Sequence, residues 1–230
     1  MEVREQVFVK EQGVPPGNEF DSDDPRACHW VVYASVNETL EPEVRDADKN
    51  ILQRKKSVTT TQPIGTIRIV PFPHPPHPEP GSSYAADALE TDPDSDAINP
   101  PPYIVDRKTT YHDGKEPYIK IGRIAVLKEF RGTGLARLLV HTAMTWAAQN
   151  PTYFNPSVTT MGMDKMGATS LGEVPVWKGL ICIHAQEQVA KTWAKWGFKL
   201  DEEMGTWTEE GINHVGMFNR LDIEKPLGNP

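Results

Sequence analysis

Tyr118-Ile119-Lys120-Ile121-Gly122-Arg123-Ile124-Ala125-Val126 and, four residues further on, Arg131-Gly132-Thr133-Gly134-Leu135-Ala136 decide the fold. The first run is β-branched and half apolar, as a strand is, and Gly122 can mark a bulge. Beyond the second run, Leu135, Leu138, Leu139, Thr142, Ala143, Trp146 and Ala147 recur at three- and four-residue spacing, which predicts a helix that stops at Asn150-Pro151. The glycine motif therefore turns a strand into a helix. The first turn of a helix leaves about four backbone N–H groups without partners, and with the helix dipole these attract an anion. Gly132 and Gly134 remove side chains that would hold a ligand away.

Two other phosphate loops fail on the same residues. A nucleoside-triphosphatase loop needs Gly-Lys-Ser/Thr, but Leu135 follows Gly134. A dinucleotide fingerprint needs a small residue where Arg137 stands. The pattern Arg131, Gly134, Ala136 instead resembles the pyrophosphate signature Arg-x-x-Gly-x-Ala of the GNAT superfamily of acetyl-CoA-dependent N-acetyltransferases. Gly122 to Val126, Ala185-Gln186, Gly197-Phe198 and Glu210 to His214 fall in the order of its ElaA-like branch. The opening Arg4 to Gln12 and the set Glu19, Asp21, Asp24 and His29 resemble that branch too. The resemblance implies an α/β (α+β) fold: a mixed, mostly antiparallel twisted sheet with a central parallel pair, flanked by helices.

The chain of 230 residues is long enough for one domain with sizeable loops, which 21 prolines and 17 glycines favour. A single domain over 1–230 is expected, with inserted loops at about 37–62, 71–117 and 151–178. The net charge of -8 argues against nucleic acid as a partner, because phosphate backbones need a basic field. Cys28 and Cys182 show no zinc-type pairing and read as buried thiols of a reducing compartment. A basic-then-apolar leader and an apolar run of membrane-spanning length are both missing, so a cytoplasmic protein without membrane contact is expected.

Along the chain, Val3, Val7 and Phe8 predict a helix that ends at Gly13-Val14-Pro15-Pro16. No residues remain for the strand that the family places before it, so either the sequence is truncated there or a sheet edge is left open, and an open edge would invite a homodimer. Strands follow at Cys28 to Val36 and Ile64 to Val70. The stretch from Pro71 to Pro117, rich in Pro, Asp, Ser and His, reads as an extended loop that buries little. His74 and His77 lie in it without acidic or cysteine partners at ligand spacing, so no metal is expected. Met161, Met163 and Met166 read as the cover of a core. Leu180 to His184 predicts a short buried strand, which the family topology implies is parallel to the one before the glycine motif. A helix over Gln186 to Trp196 with Val189, Trp193 and Trp196 on one face comes next, and Phe198 to Leu200 with His214 to Phe218 complete the sheet.

The resemblance also implies the chemistry, namely transfer of acetyl from acetyl-CoA to a primary amine, of a small molecule or a peptide, within a ternary complex. Backbone groups of Ile124, Ala125 and Val126 would pair with the pantetheine arm. The amides of Arg131, Gly132, Thr133, Gly134, Leu135 and Ala136 would cradle the diphosphate, with Arg131 adding charge. An alkyl amine has a pKa of about 10 and must lose a proton before it attacks. Glu19, Asp21, Asp24, His29, His184 and His214 are the candidate acceptors, and His29, His214 and Glu19 lead. Many family members carry a tyrosine four residues before the Gly-Phe pair, where Trp193 stands and offers no acid. A binding module that holds acyl-CoA without turnover, or an interaction domain using the proline-rich loop, are the alternatives.

Overall fold

The computed structural model describes residues 2–85 and 100–223. The chain opens with α1 (Glu2–Arg4), which runs into a π-helical stretch (Glu5–Glu11), and α2 (Pro16–Glu19). The long strands β1 (Cys28–Glu41) and β4 (Lys56–Val70) form a hairpin tipped by β2 (Val44–Arg45) and β3 (Ile51–Gln53). After β5 (Ser83–Tyr84) come β6 (Ile119–Val126), α3 (Leu135–Gln149), α4 (Val158–Met161), β7 (Leu180–Gln186) and α5 (Ala190–Lys195). Strands β8 (Lys199–Leu200), β9 (Thr206–Glu209) and β10 (Ile212–Arg220) close the sequence of elements.

The main sheet runs β1-β4-β6-β7-β10-β9-β5, with β8 also beside β10. Its pairs are antiparallel except for the central β6–β7 pair, where α3 makes the crossover, and a short β5–β9 pair at the far edge. The expected mixed sheet with a central parallel pair is therefore present.

One face of the sheet packs under α3, where Leu139, Val140, Ala143 and Ala147 meet Ile67, Ile69, Ile119, Ile121, Ile181 and Ile183. Burying each such isoleucine contributes about 1.5–3 kcal/mol. The buried stripe is rotated from the expected one, since Leu138 and Thr142 face solvent while Val140 and Ala148 face the core. Val189 is likewise exposed rather than part of an apolar face, because Glu187–Val189 is a 3₁₀ turn ahead of α5. On the opposite face, Val3 and Val7 pack on Ala125, as their spacing predicts.

The expected loop at 37–62 is mostly strand. β1 and β4 continue as a paired ribbon to Glu41↔Lys56, carried by the β-branched run Val58-Thr59-Thr60-Thr61 opposite Ser35, Val36, Asn37 and Glu38. The proline-rich segment also departs from expectation where it is described. Phe72, His74, His77 and His112 are buried over the sheet face away from α3, with His74 stacked on Tyr118 at 4.6 Å. Asp201 anchors this cover by accepting from Thr109 Oγ1 (2.7 Å) and the Tyr111 amide (2.8 Å). Imidazole and proline rings supply the contact area that an aliphatic count misses. The middle of that expected loop, 86–99, lies outside the described residues. The 151–178 stretch holds short turns, and Met161, Met166 and Ala168 form a small core of their own rather than the cover of another, with Met163 outside it.

Among the described residues, no helix is long and apolar enough to cross a membrane.

Candidate active site

The glycine motif has the backbone that its sequence demands. Gly132 and Gly134 take φ of 78° and 89°, a left-handed region that only glycine occupies without cost. Gly134 caps α3, whose first bond into the helix runs from the Leu138 amide to Gly134 O at 3.0 Å. Among the described residues, the amides of Gly132, Thr133, Gly134, Leu135, Ala136 and Arg137 meet no acceptor. A Cβ added at Gly132 or Gly134 would meet nothing within 4 Å, so the space before these amides is open. Arg131 does not point into that space as expected. Its Nε donates to Val126 O (2.9 Å) and its Nη2 to Glu11 (2.7 Å), tying the loop to the end of β6 and to the N-terminal helix.

Strands β6 and β7 pair only over Ile119–Ile121 and Ile181–Ile183, yet both continue, to Val126 and Gln186. A bulge causes the parting. Thr66 and Arg68 on β4 face Ala125 and Gly122 on β6, so β6 carries one extra residue there, and Arg123 adopts φ 48°. The bulge at Gly122 is the one that the lone glycine suggests. Ile124, Ala125 and Val126 thus border a gap whose other wall begins at His184.

The candidate proton acceptors lie in three environments. Glu19 is buried at 2% exposure and bound to Arg4, while Arg4 also grips Asp24 at 2.6 and 2.8 Å. Arg68 holds Asp21 (2.6 Å) and Asp24 (2.5 Å), and Arg123 adds a bond to Asp21 (2.7 Å). Burial alone would raise the Asp24 carboxyl, but hydrogen bonds and charge from Arg4 and Arg68 hold it well below the usual range. Three carboxylates are thus matched by three guanidinium groups. The acidic turn is neutralised within the fold and presents no free carboxylate to a cationic acceptor. His29 stands on the edge strand β1, opposite Arg68, with Nε2 3.1 Å from Asp24 O. Two strand spacings of about 4.8 Å separate it from β6.

His214 stands on β10 opposite Gln186, on the same sheet face as His184. Its Nδ1 lies 2.8 Å from Ile212 O, so that nitrogen carries the proton and Nε2 a free lone pair. Beside it, a surface groove of about 450 Å³ is lined by Gln12, Glu187, Gln188, Gly211, Ile212 and Asn213. Gln12 to Gln186 (3.1 Å) and Asn18 to Glu210 (2.9 Å) bind the N-terminal segment across that groove. His184 Nδ1 lies 3.1 Å from Glu209, which also accepts from Trp207 Nε1 at 2.7 Å. Burial, reinforced by Lys120, lowers the His184 pKa, against the opposing pull of Glu209.

Trp193 is part of the main core, 5.1 Å from the Phe198 ring, and is 5% exposed. Sequence reasoning passed over Glu209, Arg4, Arg68 and Arg123. A lone arginine inside a strand run, as at Arg68, was the available sign of a buried ion pair.

Three solved structures are similar at low identity. They are a Lactobacillus plantarum protein (20% identity over 96% of this chain and 87% of that one, TM-score 0.45), an acyl-CoA N-acyltransferase from Pseudomonas aeruginosa (15%, 95% and 85%, 0.44) and Escherichia coli ElaA (16%, 95% and 86%, 0.44). No curated protein matches the sequence. The acetyltransferase (GNAT) family model, in contrast, matches residues 19–156, more than half of the chain and including both strands of the bulge and the glycine motif. By that match the chain belongs to the GNAT acetyltransferase family and is an acyltransferase.

Proposed function

We propose that the protein transfers an acetyl group from acetyl-CoA directly to a primary amine in a ternary complex. The observation that carries this reading is the row of unbonded amides from Gly132 to Arg137 at the entrance of α3, beside the gap between β6 and β7. A diphosphate answers those amides, and an extended amide-bearing arm answers the edge of β6 that β7 leaves unpaired beyond Ile121.

The amine arrives protonated and must lose its proton, and His214 Nε2 is the acceptor we assign. The neutral nitrogen then attacks the thioester carbonyl, and a β6 amide facing the gap stabilises the oxyanion. As the adduct nitrogen gives up its second proton to water, collapse breaks the C–S bond and releases the CoA thiolate. A thiol pKa near 8.5 lets water supply that proton, which suits a site whose Trp193 is locked in the core. The groove of Gln12, Glu187 and Asn213 is the acceptor's approach. The unpaired thiols Cys28 and Cys182 fit a cytosolic setting.

Thiol release from acetyl-CoA across a panel of primary amines tests the reading. At least one amine should accelerate release, and His214→Ala should lower kcat by about 10²–10⁴-fold with acetyl-CoA affinity retained. Trp193 favours a second reading, a module that binds acyl-CoA without turnover. Tight binding with no amine-dependent thiol release would select it.

A further inference from the structure

The proline-rich cover brings His77 onto β7. A ring nitrogen of His77, Sγ of Cys182 and a ring nitrogen of His184 all lie within 4.8 Å of one another. His77 and Cys182 are 3% and 0% exposed.

The hydrogen bonds fix where the protons are. His112 Nε2 is 2.9 Å from Glu116 O, and a carbonyl only accepts, so that nitrogen is protonated and His112 Nδ1 is bare. His77 Nε2, 2.8 Å from His112 Nδ1, must then donate. That leaves His77 Nδ1 with a lone pair alone, and it is buried without a partner. On β7, His184 Nδ1 donates to Glu209, so His184 Nε2 is bare as well. Each ring thus keeps one nitrogen with a bare lone pair, and the two rings and the Cys182 sulfur gather in a place that the reading above leaves unused.

We propose that His77, Cys182 and His184 bind a divalent transition-metal ion of the zinc class, which fastens the proline-rich cover to the central sheet. Two neutral imidazoles and a thiolate are a donor set that zinc takes, at about 2.0–2.1 Å for nitrogen and 2.3 Å for sulfur. Tetrahedral binding places such donors roughly 3.3–3.6 Å apart, a modest contraction of the observed cluster. Binding expels the Cys182 thiol proton to solvent. Glu209 behind His184 and His112 behind His77 already stand as the outer partners that orient metal-bound imidazoles.

A second group, His77, Asp106 and His112, also has its donor atoms within 4.8 Å. An ion there would take the two nitrogens that now share the 2.8 Å bond. It would force a proton onto His77 Nδ1, which has no acceptor. In the Cys182 group, binding through the orphaned His77 Nδ1 would leave the His77–His112 bond in place.

The test is titration of the chelator-dialysed full chain with Co²⁺, followed by displacement with Zn²⁺. One equivalent should bind with tetrahedral visible bands and a sulfur-to-cobalt charge-transfer band, and Zn²⁺ should raise the Tm. Cys182→Ser should abolish the charge-transfer band, and His112→Ala should weaken affinity about 10–100-fold. Because Cys182 is buried, His77→Gln provides a second variant, which should lose binding while its metal-free melt stays close to that of the parent. No cobalt bands at equimolar metal would overturn the proposal. So would a spectrum without charge transfer that depends on Asp106.

Discussion

Arg4 lies 2% exposed between the carboxylates of Glu19 and Asp24, and its position explains why an acidic turn is not an acidic surface. Removing it leaves the buried Glu19 carboxylate without its partner and Asp24 with Arg68 alone. Arg4→Ala should cost about 3–5 kcal/mol in a urea melt; a loss under 1 kcal/mol would show that the network is solvated. His74 supplies a pH dependence of its own. Burial, reinforced by Lys120, keeps its pKa well below 6.5, so the folded chain holds it neutral while the unfolded chain gains a proton. Stability should therefore fall as pH drops below about 6.5, by up to about 1.4 kcal/mol per pH unit. Asp24 adds a second loss below about pH 4, where the unfolded carboxyl protonates and the folded one stays charged. Melts at pH 7.5, 5.5 and 4 check this, and His74→Gln should reduce the loss in the upper window, to which the likewise depressed His77 and His184 also contribute; equal midpoints at 7.5 and 5.5 would refute it. Single residues were the least legible level of the sequence. Nothing local to Glu209 announces His184, because sheet order alone joins them.

At the level of elements, patterning served well where one face of an element is buried. The strand, bulge and helix around Gly122 and Gly134 were readable because backbone demands act within a few residues. The α3 stripe was misread by a rotation, since its spacing admits Leu138 or Val140 and only the sheet chooses between them. The outer part of the β1–β4 ribbon, within 37–62, reads as a loop because both of its faces meet solvent there, which erases the apolar alternation. Close packing between elements also depends on residues without a pattern. Gly216 on β10 leaves room for Met204, which is fully buried, and a Cβ there would collide with its Sδ and lie 2.7 Å from its Cε. Gly216→Ala should lower stability by about 1–3 kcal/mol, read as a drop in Tm. An unchanged Tm would mean that Met204 moves aside freely.

For the whole molecule, the family core is the frame and the insertions are fitted onto it. The outer edge of β1 carries no strand among the described residues. The proline-rich cover folds only because β7 and β10 offer Cys182, His184 and Phe218 as its floor, which no reading of residues 71–117 alone could reveal. The core of the account is the anion cradle, and calorimetry of acetyl-CoA binding to the parent and to Gly132→Asp tests it most directly. Aspartate tolerates the left-handed backbone and would set a carboxylate in open space before the free amides. Affinity should fall 100-fold or more, on the order of 3 kcal/mol, with Gly132→Asn much less affected. Equal affinity in Gly132→Asp and parent would contradict it.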